Sequence, residues 1–409
     1  METLALILAG GKGSRLDVLS EKRSKPAMPF AGKFRIIDFA LSNCSNSGVF
    51  DIAILTQYLP LSLNEHIGSG KPWDLDRRDS AVTLLQPHNV WYEGTADAVL
   101  KNLNFIKRRY AKYILILSGD HIYKMNYKKM IDFHISKNAS LTIATTTVPW
   151  EETSRFGIMT MDESNKITAF TEKPQKTTSN QASMGIYIFS ADVLYETLET
   201  LSQDNLDFGK HVIPYLINKE NSDVYGYEFS GYWQDVGTLD SYLDTSLDLL
   251  HSNENVLDLY EDEWKIYTRS EELPPVRIGK QAKIANALIS NGCIIEGTVI
   301  NSILSPGVYV GKNAVVKDSI IFNSTKILDN AYVERSIIDK KVYIGYNTIV
   351  GYSDDYTPNK ERPDLLESGI NVIAKSAIIP DNTIIERNCR IFDKAKITEK
   401  VIKSGSTMK

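Results

Sequence analysis

The segment that decides the C-terminal fold is residues 373–397, IAKSAIIPDNTIIERNCRIFDKAKI, in which an isoleucine stands at every sixth position. These isoleucines are Ile373, Ile379, Ile385, Ile391 and Ile397. A step of six fits neither the period of a helix nor the alternation of a strand. In a hexapeptide repeat, each six-residue segment forms one side of a triangular coil and stacks one inward aliphatic side chain on the next coil. The segment therefore predicts a parallel β-helix.

The same step of six recurs upstream, so the β-helix domain is predicted to cover residues 278–409. Residues 351–369, rich in Asp, Pro, Lys and Glu, interrupt the step and are predicted to form a loop bulging from a corner of the coil. A β-sandwich with apolar residues at even spacings by chance is the alternative, and five isoleucines at one fixed step argue against it. The upstream members of the repeat are Ile278 and Ile284, followed by Val310, Val316, Phe322 and Leu328.

The first 250 residues alternate short apolar runs with stretches of helical period, which is typical of strands joined by crossover helices. We expect an α/β domain over residues 1–250, built on a Rossmann-like, mostly parallel sheet. Residues 96–110 are predicted to be a helix, because their apolar residues recur three and four apart. Residues 251–277 are polar, contain Pro274 and Pro275, and are predicted to be a linker. The predicted strands are residues 4–9, 51–56, 113–118, 141–147 and 184–189.

Composition restricts the classes of function. The 409-residue chain has 51 acidic and 46 basic residues, a formal net charge of −5, which argues against a nucleic-acid binder with a broadly basic surface. Cys44, Cys293 and Cys389 are too scattered for a disulfide framework or a thiolate metal site, so we expect them to be reduced and structural. The sequence has neither a signal-peptide pattern nor an apolar run of membrane-helix length. We therefore expect a cytoplasmic protein with no membrane partner.

A glycine-rich turn, LAGGKGSRL at residues 8–16, follows the first predicted strand. Glycines let backbone N–H groups approach an anion closely, and Arg15 can bind phosphate oxygens through two N–H groups. The turn matches neither the Walker loop nor the dinucleotide fingerprint. Lys22, Arg23 and Lys25 follow closely, and such local positive charge suits a polyphosphate ligand. A tight turn followed by a solvated basic loop is the alternative interpretation.

Taken together, eight motifs resemble those of the sugar-phosphate nucleotidylyltransferases and, within them, the glucose-1-phosphate adenylyltransferase family. They are LAGGKGSRL (8–16), KP (25–26), GKFRIIDFALSN (32–43), GTADA (94–98), SGDHIY (118–123), EKP (172–174), ASMGIY (182–187) and WQDVGT (233–238). The resemblance covers nearly the whole chain, since that family also carries a C-terminal left-handed β-helix. It implies that ATP and α-D-glucose 1-phosphate are converted to ADP-glucose and pyrophosphate with Mg²⁺ as cofactor, which supplies ADP-glucose for glycogen synthesis.

The resemblance also implies residue roles on the nucleotide side. Asp120, which ends an apolar strand, and Asp235 would coordinate Mg²⁺. Arg15 and Lys25 would hold the β- and γ-phosphates that leave as pyrophosphate. The choice of base stays open, because related enzymes with the same turn use UTP, dTTP, CTP or GTP. The remaining expected ATP contacts are the backbone cradle of Leu8, Ala9, Gly10, Gly11 and Gly13, and the adenine-facing Gln57, Gly94 and Thr95.

On the sugar side, Lys173 would bind the phosphate of glucose 1-phosphate and Glu172 would accept hydrogen bonds from sugar hydroxyls. Core packing is the alternative role for the other sugar-side positions. The chain departs from the family pattern at Glu93, His211 and Gln234, which puts effector response in question more than the chemistry. The other positions that the family uses around the sugar are Tyr92, Gly157, Ser183, Tyr187 and Trp233.

The resemblance further implies metabolite effectors and a homotetramer, or a tetramer that includes a regulatory paralogue. Lys22 and Arg23 align with a basic segment linked to regulation, although they could equally steer ATP. Two alternative classes of function are an acyltransferase and a non-enzymatic regulatory or scaffold subunit. Acyl transfer in the β-helix lacks a candidate base, since the last histidine, His251, precedes the repeat. A regulatory or scaffold subunit that binds nucleotide without turnover would have less need of the metal and phosphate residues.

Overall fold

The computed structural model describes residues 2–78, 80–87, 90–220, 222–251 and 256–409. Within these residues, the N-terminal domain contains a nine-stranded sheet. The strands are β1 (Thr3–Leu8), β2 (Ile52–Leu55), β3 (Val82–Leu85), β4 (Tyr113–Ser118), β5 (Leu141–Thr147), β6 (Gly157–Met161), β7 (Ile167–Glu172), β8 (Gln181–Ser190) and β9 (Val224–Glu228). In the sheet the strands follow the order β7-β6-β8-β4-β1-β2-β3, and β5 pairs with both β8 and β9.

The half of this sheet that contains β1 to β4 is parallel. β1 lies between β2 and β4 and is parallel to both, and β2 is parallel to β3. β8 is antiparallel to β4, β5 and β6, so the other half is mixed. Residues 4–7 of β1 are fully buried, as expected for a strand covered on both faces. The Rossmann-like α/β domain and the five predicted strands are confirmed, whereas β3, β6, β7 and β9 escaped the sequence analysis.

Helices cover both faces of the sheet. Ala5 and Ile7 of β1 belong to the core cluster that contains Leu41 of the first helix, while Leu4 and Leu6 belong to the opposite cluster. The single helix predicted over residues 96–110 is instead two helices, because the chain leaves the helical region at Asn102 (φ −107°). The α-helices are Ile37–Asn46, Leu61–Ile67, Thr95–Lys101, Leu103–Lys107, Tyr127–Ser136, Ala191–Thr200, Ile213–Asn218 and Leu239–Asp248, with shorter helical turns at Ser14–Ser20, Lys25–Ala27, Lys71–Trp73, Trp150–Arg155 and Phe208–Val212.

The C-terminal part is a parallel β-helix, consistent with the left-handed form. Short strands on successive coils pair in parallel, Val310 with Ile327 and Ile327 with Ile344. Asn313 donates to Asn330 one coil away, and Asn330 donates in turn to Asn347, forming an amide ladder along a corner. The strands are Arg277–Ile278, Lys283–Ile289, Ile294–Ile295, Thr298–Leu304, Tyr309–Val310, Val315–Lys317, Ile320–Ile321, Lys326–Ile327, Tyr332–Glu334, Ser336–Ile338, Tyr343–Ile344, Ile349–Val350, Asn371–Ile373, Ile378–Ile379, Ile384–Ile385, Arg390–Ile391, Val401–Ile402 and Thr407–Met408.

The coil register corrects part of the predicted repeat. Equivalent corner residues on these coils are 17 apart, so each coil has two six-residue sides and one five-residue side. The inward positions are therefore Ile321 and Ile327, and the prediction of Phe322 and Leu328 was wrong by one residue. The predicted inward Ile278 was also wrong, because its side chain is 59% exposed on the first coil.

The other predicted inward positions differ in how far their side chains are buried. Ile284 is also on the surface, at 38% exposure, so its assignment to the interior was wrong. The isoleucine series from residue 373 is confirmed: its first four members are fully buried and Ile397 packs against the same core. Residues 351–370 contain no strand or helix and are inserted between two coils, which confirms the predicted loop.

The two parts of the chain share a core. Leu16 and Tyr242 from the N-terminal part belong to one apolar cluster with Phe322 of the β-helix and with Leu366 of the inserted loop. The segment after residue 255 also packs closely, since Trp264 Nε1 donates to Asn43 Oδ1 in the first helix (2.9 Å). The domain limits at residues 250 and 277 stay a prediction.

Two simpler expectations can be compared with the structure. Cys44, Cys293 and Cys389 are buried and free. Among the described residues, none of the helices has the length and apolar character needed to cross a membrane.

Candidate active site

The carboxyl ends of β1, β2 and β4 meet at one edge of the sheet. The Ala9 N–H donates to Leu55 O at the end of β2 (2.9 Å), and the Gly119 N–H donates to Leu8 O at the end of β1 (3.0 Å). Parallel sheets bind their ligands outside these carboxyl ends. This edge is therefore the candidate site, and it brings the glycine turn next to Asp120.

Close packing explains the glycines of the turn. Gly13 has φ 67°, and a Cβ at that position would lie 2.9 Å from Lys25 Cβ. A Cβ at Gly10 would lie 3.2 Å from Gln57 Cβ. The turn is thus pressed against Lys25 on one side and against Gln57 on the other, while Gly11 stays open at the rim of the site.

Lys25 is the centre of charge in the site. Its ammonium nitrogen lies 2.7 Å from Asp235 Oδ1 and 3.0 Å from Asp120 Oδ2, and its side chain is only 6% exposed. The Ser118 hydroxyl donates to Asp120, and Arg155 NH2 lies 3.6 Å from Asp235 Oδ2. Two carboxylates from segments more than one hundred residues apart thus share one ammonium group.

The environment keeps these groups charged. Burial alone would lower the pKa of the Lys25 ammonium, but Asp120 and Asp235 reverse this effect and raise the pKa. Burial would likewise raise the pKa of both carboxyls, yet Lys25 and His121 lower the pKa of each below its ordinary value. The carboxylate pair is therefore ionised at neutral pH and can attract a cation.

Asp120, His121 and Asp235 each offer one ligand atom, and these atoms lie within 4.8 Å of one another. The arrangement arises because the short strand Trp233–Asp235 pairs antiparallel with His121–Tyr123, which places Asp235 opposite His121. Carboxylate oxygens are the donors that hard divalent cations prefer. These residues fit a divalent cation.

A cavity of about 370 Å³ lies beside this centre. Gln57 spans part of its wall: its amide donates to Tyr92 O (3.1 Å) and accepts from the Tyr92 N–H (2.6 Å). Tyr92 was predicted on the sugar side, but the structure places it on the wall of this cavity. Among the predicted ATP contacts, the cavity is lined by Leu8, Gly10, Gly11, Gln57, Gly94 and Thr95, whereas Ala9 is buried behind it and Gly13 packs on Lys25.

The far wall of the cavity is held by the start of the helix Thr95–Lys101. The Thr95 hydroxyl donates to Asp207 Oδ2 (2.9 Å) and accepts from the Phe208 N–H (3.1 Å). A Cβ on Gly94 would lie 2.2 Å from Leu206 O, so only glycine fits there. This explains why the motif GTADA begins with glycine.

Glu172 and Lys173 lie at the end of β7, with Lys173 Nζ 3.6 Å from Glu172 Oε1. The Glu172 carboxylate lies against Gly157 and Gly209, where any Cβ would come within 2.8 Å of Oε2. Burial raises the pKa of the Glu172 carboxyl, and Lys173 opposes the rise. Lys173 has φ 50° and a side chain that is 62% exposed, so its ammonium is available to a ligand.

The other predicted sugar-side residues form a buried wall. Ser183 Oγ and Tyr187 OH lie 3.5 Å apart, and both residues are less than 10% exposed. The indole of Trp233 packs edge-on against His121, with ring centroids 5.1 Å apart. Trp233 Nε1 and His121 Nδ1 are both buried with no hydrogen-bond partner among the described residues. Two buried polar atoms without a hydrogen-bond partner among the described residues thus lie close to the acidic centre.

Sequence reasoning missed three residues of the site. His121 follows Asp120 directly, and that adjacency was the signal that could have found it. Arg155 and Asp207 belong to no quoted motif core and reach the site through tertiary contacts. Of the departures from the family pattern, His211 Nδ1 accepts from the Asp207 N–H (3.0 Å), and Gln234 is exposed.

The predicted effector residues differ in their surroundings. Arg23 is buried between the domains and donates two hydrogen bonds to Asp339, at 2.8 and 3.0 Å. Lys22 is half exposed and lies 3.2 Å from Asp393. Both residues line an interdomain cavity of about 720 Å³.

The glycine turn, the acidic pair and the neighbouring cavity define the class of protein. Residues 4–252 match the family model described as nucleotidyl transferase. Residues 274–373 match a second model, described as GlmU-like, C-terminal hexapeptide. The chain is thus a nucleotidyl transferase joined to a hexapeptide-repeat β-helix.

Curated relatives narrow the class further. The chain is 49% identical to the glucose-1-phosphate adenylyltransferase of Thermomicrobium roseum over 100% of this chain and 97% of that protein. It is 46% identical to the enzyme of the same name from Acetivibrio thermocellus, over 95% and 92% of the two chains. A third, from Fervidobacterium nodosum, is 45% identical over 98% of each. The chain belongs to the glucose-1-phosphate adenylyltransferase family.

Proposed function

We propose that this protein transfers the adenylyl group of ATP to α-D-glucose 1-phosphate, forming ADP-glucose for glycogen synthesis and releasing pyrophosphate. The observation that carries the proposal is the position of the Lys25–Asp120–Asp235 centre. Asp120 of this centre lines the cavity beside the glycine turn, and His121, which follows it in the chain, packs against Trp233 of the buried wall. Two anionic substrates can therefore meet at a site that already contains an ammonium group and a cation-binding carboxylate pair.

On the nucleotide side, the glycine turn would receive the triphosphate. Gly10, Gly11 and Gly13 leave the backbone accessible, and Arg15 and Lys25 would hold the β- and γ-phosphates. A Cβ at Gly237 would lie 2.9 Å from Arg15 NH2 and 3.0 Å from both carboxylate oxygens of Asp235, so Arg15 reaches the same centre. Cations here bind most strongly when charge accumulates on the leaving pyrophosphate.

Mg²⁺ is the cofactor that fits the donor set. Asp120 and Asp235 would hold it through carboxylate oxygens, and a ring nitrogen of His121 is a further donor within 4.8 Å. When bound, the ion supplies positive charge that polarises the phosphates of ATP and stabilises the departing pyrophosphate. Lys25, now shared by both carboxylates, would turn its ammonium toward the phosphates.

On the sugar side, the exposed ammonium of Lys173 would bind the phosphate of glucose 1-phosphate. Glu172 would accept hydrogen bonds from sugar hydroxyls, and the glycines at positions 157 and 209 make room for its carboxylate. Ser183, Tyr187 and the free N–H of Trp233 would supply further polar contacts.

The reaction requires alignment more than a protein nucleophile. An oxygen of the sugar phosphate attacks the α-phosphorus of ATP, the new P–O bond forms, and the bond to the bridging oxygen of pyrophosphate breaks on the opposite side. Holding both substrates in line supplies much of the rate, and the cations stabilise the developing charge.

Adenine is the proposed base. The Gln57 amide is fixed by both backbone groups of Tyr92, which gives the cavity a rigid polar wall for reading the base. Pyrophosphate release should be measured with glucose 1-phosphate and each of ATP, UTP, dTTP, CTP and GTP. We expect the highest kcat/KM with ATP, and no release with ATP would contradict the proposal.

Regulation and assembly follow the same proposal. The basic interdomain cavity, with Lys22 at its edge, would bind anionic metabolites that act as effectors.

We expect a homotetramer, to be measured by analytical ultracentrifugation with and without a regulatory paralogue. Because ATP and glucose 1-phosphate are cytoplasmic metabolites, we place the protein in the cytoplasm.

A further inference from the structure

Asp17, two residues after Arg15, has an unusual backbone conformation. Its φ of 51° and ψ of −132° interrupt the helical turn Ser14–Ser20 and send the chain in a new direction. Residues other than glycine rarely adopt such backbone angles, and they do so only where contacts with the surrounding structure hold them there. The structure therefore has to hold Asp17 in place.

Two arginines from the C-terminal part hold it. Arg390 Nε lies 2.8 Å from Asp17 Oδ1, and Arg362 NH1 lies 3.5 Å from Asp17 Oδ2. Arg390 comes from the strand Arg390–Ile391 of the β-helix and Arg362 from the inserted loop. The Asp17 side chain is 1% exposed, and the two arginines supply the positive charge next to its buried carboxylate.

The inserted loop is tied to the same arginine. Glu361 Oε2 lies 3.3 Å from Arg390 NH1, and Lys409 Nζ lies 2.9 Å from Glu361 Oε2. Leu366 of the loop is fully buried in the core that also contains Leu16. The loop thus braces both the arginine and the residue that precedes Asp17.

The segment that Asp17 redirects leads to the phosphate site. Arg15 lies two residues ahead of the break, in the turn where the Leu16 N–H donates to Gly13 O (2.9 Å). The Arg15 guanidinium and the Asp235 carboxylate both lie next to Gly237, so Arg15 reaches the acidic centre. The direction of the chain at Asp17 therefore sets the position of a group that would bind the triphosphate.

We propose that Asp17 is a positioning residue for Arg15, held in its strained conformation by Arg390 and Arg362, so that the β-helix and its inserted loop set the affinity for ATP. This inference rests on the proposed function, in which Arg15 binds the phosphates of ATP. Binding of glucose 1-phosphate depends on Lys173 and Glu172, which have no contact with this cluster among the described residues.

The test compares Arg390→Met with the double variant Arg390→Met, Asp17→Gly. Methionine keeps an apolar stem beside Phe392 but removes the charge. We expect Arg390→Met to raise the KM for ATP about tenfold and to leave the KM for glucose 1-phosphate within about twofold. Glycine adopts the angles of residue 17 without strain and buries no charge, so the double variant should recover the KM for ATP to within about threefold of the unmodified chain.

Arg277→Met is the control, because it removes another β-helix ion pair, with Glu296 at 2.9 Å, far from Asp17 in the coil order. If Arg390→Met does not fold by circular dichroism, Arg362→Gln on the partly exposed loop replaces it, with a smaller but equally selective rise expected. Equal changes in both KM values, no change in either, or failure of the double variant to recover ATP binding would overturn the inference. If the unmodified chain releases no pyrophosphate, the proposed function fails instead; ATP affinity measured by calorimetry on the same variants still tests the positioning role.

Discussion

Buried charges occur in two places: in the candidate active site around Lys25, here called the cleft, and at the interface between the N-terminal domain and the β-helix. They are paired in different ways. In the cleft, one ammonium, Lys25, is shared between Asp120 and Asp235, whose side chains are 29% and 13% exposed. At the interface, Arg23 and Asp339 form a two-bond pair that is almost completely buried, at 3% and 1% exposure. The first arrangement is open to solvent and the second is closed.

The difference shows what each arrangement is suited for. A shared ammonium can leave one carboxylate for a ligand while the other keeps it in place, so the cleft can exchange partners. A closed pair has no substitute partner, and breaking it leaves an uncompensated buried charge. Substitutions in the cleft should therefore change turnover, whereas those in the Arg23–Asp339 pair and in the core of the β-helix should change stability.

Asp120→Asn should have the largest effect. We expect kcat to fall about 1000-fold, because the substitution removes a carboxylate that we propose to bind Mg²⁺. The melting temperature should change little, since Asp235 still pairs with Lys25. Pyrophosphate release and circular dichroism on the same preparation test this, and a folded variant with nearly unchanged kcat would refute the assignment.

Asp339→Asn tests the closed pair. Arg23 would stay buried without an ionic partner, which should cost about 3–5 kcal/mol of stability and lower the melting temperature by many degrees. Asp223→Asn is the matched control, because its pair with Lys166 is 44% exposed on both sides and should matter little. Equal melting temperatures for the two variants would remove the distinction between open and closed pairs.

Ile321→Ala tests the corrected register of the β-helix. The side chain is fully buried inside the coil, so its truncation should cost about 2–4 kcal/mol of stability. Ile278→Ala, on a residue that is 59% exposed, should change the thermal transition little. Both variants should keep the KM values of the unmodified chain. The reverse order of melting temperatures would show that the register is wrong.

Lys173→Ala tests the sugar side of the cleft. We expect the KM for glucose 1-phosphate to rise roughly 10- to 100-fold, and the KM for ATP to change far less, because only the sugar phosphate loses a cation. Lys176→Ala, an exposed lysine three residues further on, should change neither value. Equal effects of Lys173→Ala on both substrates would contradict the assignment.

Lys340→Met should have the smallest effect, a change in melting temperature that depends on pH. Burial, together with Arg35 and Arg23, lowers the pKa of the Lys340 ammonium to about 7. In the unfolded chain that pKa is about 10.4, so the folded state binds fewer protons between these values and its stability rises with pH across that window. Lys340→Met should therefore raise the melting temperature by a few degrees at pH 6, and the gain should shrink toward pH 9.5. A gain that is independent of pH would exclude protonation of Lys340 as its cause.

Local patterns were sufficient for much of the fold. The isoleucine series after residue 373 identified the β-helix, because one side of a coil is only six residues long and needs no distant partner to be recognised. The five-residue side was harder to see. It shifts the inward position by one residue in each 17-residue coil, so Phe322 was mistaken for an inward residue when Ile321 occupies that place.

The residues of the candidate site also fall into two groups, those that a local sequence pattern identifies and those that depend on distant contacts. Asp120 could be found because it comes two residues after the end of a strand, and the glycine turn because it also follows a strand. The role of His121 depends on pairing with residues 233–235, and the position of Asp17 depends on Arg390, which is 373 residues away in the chain. No local pattern reports such contacts, because they form only when distant segments pack together.

The central claim is the transfer of an adenylyl group to a sugar phosphate, and phosphorus NMR tests it most directly. The purified protein should be mixed with ATP, glucose 1-phosphate and Mg²⁺, and the spectrum followed over time. The account predicts that ADP-glucose and pyrophosphate appear in equal amounts as both substrates disappear, with no reaction when glucose 1-phosphate is omitted. Hydrolysis of ATP that does not depend on the sugar phosphate, or an unchanged spectrum, would contradict it.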